Sequence, residues 1–298
     1  MRGENPHENS SEGSPRLPED TSLPLFIYGV LKPGMPAHQQ IKPFILNNPE
    51  EMKILGQLYV RDGLPLLFDG EVCVQGFFVR LNPEHNQEAY QIVCNLEPEK
   101  LYEWGTVFTP SGRIANTRLG KYPQEGNPQP WVGKDGRPQS NWLLTDDPAF
   151  NEGMHTVREA LEDISSAIGP WEKFYRAQMA YLLLWSILER LSALCCGPLE
   201  NPLQRVKSLA RLDGMSNLIK THVERFDQRV SDSRNPKKSY PIDKNNSHQS
   251  FLYYYQIRNN LSHRGKGAIR EADKVQNSLV ELLEITEGYL KRVKIQGG

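Results

Sequence analysis

Leu25-Phe26-Ile27-Tyr28-Gly29-Val30-Leu31-Lys32-Pro33-Gly34 decides how the first half of the chain is read. Four apolar or aromatic residues run into a glycine and then a Pro-Gly turn, the pattern of a short buried strand with a sharp end. Glycine straight after a strand lets backbone N–H groups point outward as a nest for an anion or a carbonyl oxygen. The same letters also spell an ordinary turn. Working outward, residues 54–60, 71–74 and 76–81 read as further strands, with Gly76 as a bulge position. Residues 87–96 read as a short helix, and 101–109 return to strand. This mixture predicts a small α+β barrel over residues 23–109.

Five stretches in this region share one order: Tyr28-Gly29-Val30-Leu31 with Gly34, Gly56-Gln57-Leu58-Tyr59, Gly63-Leu64-Pro65, Val74-Gln75-Gly76-Phe77-Phe78-Val79, and Leu96-Glu97 followed by Tyr102 and Val107. In that order they resemble the gamma-glutamylcyclotransferase-like family. The resemblance implies that Glu97 is the base that removes a proton from the α-ammonium of a γ-glutamyl group. The freed amine then attacks the γ-carbonyl and yields 5-oxoproline. It also implies that Tyr28, Gly29, Val30 and Leu31 hold the glutamyl moiety with backbone groups. A carboxylate suits that role if partial burial raises its pKa. The chain departs from the family at Pro98, which stands where a glycine is common and restricts the backbone of Glu97. Turnover of a γ-glutamyl compound and binding without turnover both stay open.

Residues 110–145 are rich in Gly, Pro and Asn, and read as an extension of this domain or a linker. Trp131 and Trp142 indicate that part of the stretch packs on something. From residue 146 the period becomes helical. Val157, Leu161, Ile164 and Ile168 form one stripe, and Phe174, Ala177, Tyr181, Leu184, Leu188, Leu191 and Cys195 a second. Ala272, Val275, Leu279, Leu282, Thr286, Tyr289 and Val293 form a third, widened by Val280 and Leu283. These are core faces of an all-α helix bundle over 146–298, and the widened one suits a helix packed on several neighbours or on a second copy. Residues 229–247 read as a polar loop.

That loop precedes Arg258-Asn259-Asn260-Leu261-Ser262-His263, with Arg264, Lys266 and Arg270 close behind. Arg offers a planar fork to a phosphate, His exchanges a proton near neutral pH, and Asn orients either by hydrogen bonds. On a helix, Asn259 and His263 lie about 40° apart, whereas Arg258 and His263 lie about 140° apart. The helix is therefore expected to end near His263, and Gly265 and Gly267 suit such an end. Arg-Asn followed after three residues by His, on a late helix, resembles the HEPN family. The resemblance implies a metal-independent ribonuclease site of Arg258, Asn259 and His263, completed in a homodimer formed through the helical domain. Arg264, Lys266 and Arg270 are the expected RNA-binding residues.

Charge agrees with that division. Residues 151–298 carry 22 Lys and Arg against 17 Asp and Glu, a net of +5, while residues 1–150 carry 13 against 19, a net of −6. The helical half is the better partner for a polyanion. Cys73, Cys94, Cys195 and Cys196 form no CxxC pair, and the seven His are scattered, so neither a disulfide framework nor a metal site is expected, and no cofactor. Residues 1–22 read as a disordered tail. The run from 179 to 188 falls short of the roughly 20 residues of a membrane span. A cytoplasmic ribonuclease controlled by a cyclotransferase-like module is the expectation. Proteins of this build resemble toxins and antiviral effectors, which implies RNA as substrate, a γ-glutamyl-like ligand on the first domain and an antitoxin or regulatory partner. Two other readings are a γ-glutamyl cyclotransferase with a helical dimerisation domain, and a non-catalytic interaction protein.

Overall fold

Strand β1 (Leu25–Ile27) is buried along its whole length, as three consecutive apolar residues require. A one-turn helix α1 (His38–Ile41) follows, and then the long strands β2 (Glu50–Arg61) and β3 (Leu64–Val79). Helix α2 (Asn86–Leu96), β4 (Tyr102–Phe108), β5 (Ile114–Gly120) and the short β6 (Gln129–Pro130) complete this half. The strands lie in the order β4-β5-β1-β3-β2-β6, a mixed sheet curled into a half-barrel with β4 and β6 at its open edges. The β1/β5 contact is parallel, Leu25 opposite Asn116, and the other pairings are antiparallel. The computed structural model describes residues 16–97, 99–121, 128–133, 135–197, 201–225, 228–264 and 271–297, with the side chains of 263–264 and 295–297 outside that description.

Several expectations change here. The two strands expected over 71–81 are one 16-residue strand, β3. Its irregularity lies opposite Gly56 and Gln57, not at Gly76. Gly76 answers a packing need instead: a Cβ there would stand 2.5 Å from the Ile27 carbonyl oxygen and would enter the Phe26 ring. β2 and β3 are joined through Asp62 and Gly63, both at positive φ (50° and 76°), the turn that Asp-Gly favours because it matches strand twist. Part of the stretch expected as extension or linker is β5, inside the sheet between β4 and β1. The inner end of the expected tail is also structured. Cys94 Sγ and Trp104 Nε1 donate to the Arg16 carbonyl, Asn116 Nδ2 to that of Asp20, and Asn86 Nδ2 to that of Thr21.

The second half contains α3 (Met154–Ser166), α4 (Pro170–Cys196), α5 (Pro202–Ala210) and α6 (Met215–His222). A two-stranded hairpin, β7 (Arg229–Ser231) and β8 (Ser239–Pro241), replaces part of the expected polar loop, because Val230 is fully buried. Helices α7 (Ser247–Arg264) and α8 (Ala272–Gly297) follow. α4 is the central helix, packed on α3, α5, α7 and α8. By length and composition it could cross a membrane, yet more than half of its apolar window is buried in the bundle. Its expected core stripe from Phe174 to Cys195 is buried throughout. Ile168 leaves the first stripe: it lies in the break between α3 and α4 and is 99% exposed. The wide face of α8 is used within the chain, against α4, α6 and α7.

The two halves share one continuous apolar core. Arg190 on α4 donates from Nε (3.0 Å) and Nη2 (2.8 Å) to Asp147 Oδ2, and from Nη2 (2.5 Å) to the Asp62 carbonyl at the β2–β3 turn. Gly63 has no space for a side chain, since a Cβ there would stand 2.5 Å from Asp147 Oδ2. Lys32 is buried and donates to Asn141 and to the Trp142 carbonyl (2.8 Å), which fixes Trp142, itself fully buried. Burial pulls the Lys32 ammonium down to about 8.

Candidate functional site

Two clusters of chemistry-bearing residues stand out. The first gathers at the C-terminus of α2. Glu97 caps that helix, its N–H donating to the Val93 carbonyl at 2.9 Å, and is 7% exposed. Burial holds its carboxyl up at about 7, opposed by the positive charge of Arg118. Arg118 comes from β5 and is 2% exposed. Its Nη2 donates to the Glu97 carbonyl (2.6 Å) and to the Tyr102 carbonyl (3.3 Å). The guanidinium lies 4.9 Å from the Trp104 ring centre and 6.0 Å from that of Tyr102. Arg118 Nε is buried without a hydrogen-bond partner among the described residues.

Tyr28 closes this cluster. Its hydroxyl donates to the Arg118 carbonyl (2.7 Å) and accepts from the Leu67 N–H (3.2 Å). Burial, then the neighbouring Tyr102 and Glu97, push the Tyr28 phenol well above its ordinary value. The structure thus brings Glu97 and Tyr28 together, through an arginine that sequence reasoning did not single out. The rest of the expected binding turn is covered. Val30 and Leu31 are buried, and a Cβ on Gly29 would meet Pro65 Cγ at 3.1 Å. A cavity of about 780 Å³ opens beside the cluster, lined by Arg118, Tyr102, Trp104 and the strap at residues 16–20. Neither Glu97 nor residues 28–31 line it. Pro98 lies outside the described residues.

The second cluster sits on the exposed end of α7. Arg258 is partly exposed, its Nη1 3.4 Å from Asn259 Oδ1 and its Nη2 3.9 Å from Glu189 Oε1 on α4. Asn259 is also partly exposed, while Asn260 is buried and structural. The Asn260 Oδ1 accepts from Ser233 N–H (3.0 Å) and Gln256 Nε2 (2.9 Å), and its Nδ2 donates to the Ser231 carbonyl (2.9 Å). Those bonds pin the β7–β8 hairpin onto α7 and frame a polar cavity of about 200 Å³. Arg258, Asn259, Tyr255, Arg234 and Asp232 line it. Tyr255 packs on Trp185 with ring centres 5.6 Å apart, and Trp185 Nε1 donates to Glu189 Oε1 at 3.1 Å.

α7 runs unbroken to Arg264, so His263 belongs to the same helix, one turn beyond Asn259. The side chains of His263 and Arg264, and the whole of Lys266 and Arg270, lie outside the described residues. Arg234 and Tyr255 were missed by sequence reasoning. The signal for Arg234 lay inside a polar loop, and Tyr255 is one of three consecutive tyrosines whose neighbours Tyr253 and Tyr254 are core. Among the described residues no group of three or more His, Cys, Asp or Glu is placed to hold a metal ion.

No protein-family model and no curated protein matches the chain. Two solved structures are similar to parts of it. An uncharacterized protein from Pyrococcus horikoshii is 20% identical, with 44% of this chain and 92% of that one covered and a TM-score of 0.28. The allophanate hydrolase of Kluyveromyces lactis is 18% identical, with 36% of this chain and 19% of that one covered and a TM-score of 0.29.

Proposed function

We propose that the helical half is a HEPN-type, metal-independent endoribonuclease, coupled to a cyclotransferase-like first half. One observation carries the reading: Arg258 and Asn259 line an open polar cavity on α7, and that helix continues without a break through His263. Cleavage beside a 2′-hydroxyl removes that proton, forms a bond from the 2′-oxygen to phosphorus, and expels the 5′-oxygen, which takes up a proton. His263 moves protons and Arg258 binds the charged phosphate. The products are a 2′,3′-cyclic phosphate and a 5′-hydroxyl. Tyr255 lines the same cavity and puts an aromatic side chain beside the place where a base would lie.

One His does not conveniently serve both as base and as acid. A twofold dimer supplies a second copy. Ile168 (99% exposed), just before α4, and Trp171 (47%), Tyr175 (49%) and Met179 (68%) on its first half form an apolar stripe. That stripe supports assembly through the helical half, because exposed aromatic and aliphatic patches favour a partner. Gln178 Nε2, on the same helix, donates to the Leu261 carbonyl at 3.1 Å, so the stripe lies near the active end of α7. The biological reading that follows is a cytoplasmic toxin or antiviral effector with an antitoxin or regulatory partner.

The test is incubation of the purified protein with total RNA in EDTA, beside His263→Ala and Arg258→Ala. Each change is expected to lower cutting by about 10²–10⁴-fold. Equal cutting by both variants refutes the assignment.

A second reading concerns the first half and is favoured by the Glu97 carboxyl at about 7. A group poised there accepts a proton from an amine near neutral pH. We propose that a small γ-glutamyl-like ligand is bound, or turned over, from the cavity that Arg118 and Tyr102 line, with Glu97 and the turn at residues 28–31 as the covered layer behind it. Calorimetry with γ-glutamyl compounds tests it. No heat from the parent, or equal heat from Glu97→Gln, rejects it.

A further inference from the structure

Beside the cavity that Arg258 lines, two arginines from different helices converge on one carboxylate oxygen. Glu189 Oε1 on α4 is 3.9 Å from Arg258 Nη2 on α7 and 3.9 Å from Arg205 Nη1 on α5. Neither distance is a hydrogen bond, which would lie near 2.8 Å for a guanidinium and a carboxylate. The carboxylate is held in place by another donor, Trp185 Nε1 at 3.1 Å. All three charged side chains are about one-third exposed, at 29% for Glu189, 31% for Arg258 and 35% for Arg205. The site is therefore reachable from solvent, and its anion is supplied by the protein.

We infer that Glu189 occupies a two-arginine phosphate site, and that an RNA phosphate displaces it to bind Arg258 and Arg205 together. This rests on the ribonuclease reading and adds two residues to it. Arg205 is the second phosphate-binding group. Glu189 is a built-in competitor that lowers RNA affinity until a phosphate takes its place. The geometry suits an exchange of one anion for another. At 3.9 Å the Glu189 carboxylate hydrogen-bonds neither guanidinium, and a phosphate placed between them closes both contacts to hydrogen-bond length. The two arginines come from α5 and α7, which pack directly on each other, so the spacing of the prongs is set by helix packing.

The probe is a short, fluorescently labelled single-stranded RNA carrying 2′-O-methyl groups, so that it binds without being cut. Affinity for the full chain is read by anisotropy in EDTA, from about 50 to 200 mM salt. Each lost phosphate contact lowers the slope of log K against log salt by about 0.7 for a single strand. Arg258→Ala and Arg205→Ala are each expected to show that loss, and Arg205→Lys to keep the parent slope. Glu189→Gln keeps an acceptor for Trp185 but removes the charge, and is expected to tighten binding about two- to five-fold at low salt, as for an exposed ion pair. The gain disappears in Glu189→Gln combined with Arg258→Ala. If Arg258→Ala binds as the parent does, RNA is not held at this site and the ribonuclease reading falls together with the inference. If Arg258→Ala loses slope while Arg205→Ala and Glu189→Gln match the parent, the reading survives and the two-arginine site is overturned.

Discussion

Replacing Glu97 by Gln should change how stability depends on pH, and the size of the change follows from the burial of one carboxyl. In the folded chain that group sits at about 7, against an ordinary 4.5, because its desolvation outweighs the pull of Arg118. Its folded-state pKa lies above its unfolded one. Between those values the folded protein holds a proton that the unfolded chain has released. Stability from this group is therefore complete below about pH 4.5 and is lost as pH rises through about 7. At 1.36 kcal/mol per pH unit the loss is about 3 kcal/mol. Gln has the shape of the protonated acid and no titration, so the variant escapes the loss. Urea unfolding at a series of pH values from about 4 to 8, for both proteins, isolates the effect, since every other titrating group is common to both. The variant should gain about 3 kcal/mol on the parent across that range. Two curves that run parallel would show that Glu97 ionises in the fold as it does in water, and the cluster with Arg118 would lose its claim to unusual chemistry.

Other outcomes follow from the packing. Arg225→Ala strips the partner from Glu281, which it meets with Nε at 2.7 Å while both side chains are about 10% exposed; urea unfolding should show a loss of about 3–5 kcal/mol, and a loss below 1 would make the pair peripheral. Gly76→Ala pushes a methyl group against Phe26 and the Ile27 carbonyl, with an expected cost of about 1–3 kcal/mol in the same assay. Tyr175→Glu with Met179→Glu places two charges on the exposed stripe of α4; light scattering should show the assembled form reduced to monomer, with the melting temperature nearly unchanged.

The helices were legible because their burial is one-sided. Every member of the Phe174–Cys195 stripe is buried, and so is nearly every member of the α8 stripe. β5 was not legible because it inverts the usual rule. Its buried residues include Asn116, Thr117 and Arg118, all at or below 2% exposure and covered on both faces of the sheet, so a central strand reads as a polar linker. The same inversion hid Arg118, the residue that ties Glu97 to Tyr28. The β2–β3 turn was legible in principle, since Asp62-Gly63 is a strong hairpin signal, but Gly63 drew notice only as part of Gly63-Leu64-Pro65. At the second cluster the motif letters could be seen, but their partners could not. Glu189 and Arg234 reach Arg258 or its cavity from other elements, and Arg205 meets Glu189 from a third, and no local spacing records that, whereas Tyr255 lies on α7 three residues before Arg258.

The shared core has a consequence for how the chain is made. The sheet leaves the ribosome first, with the Asp62–Gly63 tip and Asp147 in place and no Arg190 to bind them. Until α4 emerges, Asp147 faces water and the apolar surface meant for the bundle is bare. Synthesis therefore passes through a stage in which the nascent sheet is complete in hydrogen bonds yet incomplete in burial. A pause in translation before α4 emerges would lengthen that stage, and the docking of α4, which covers the apolar surface and sets Arg190 on Asp147, would close it.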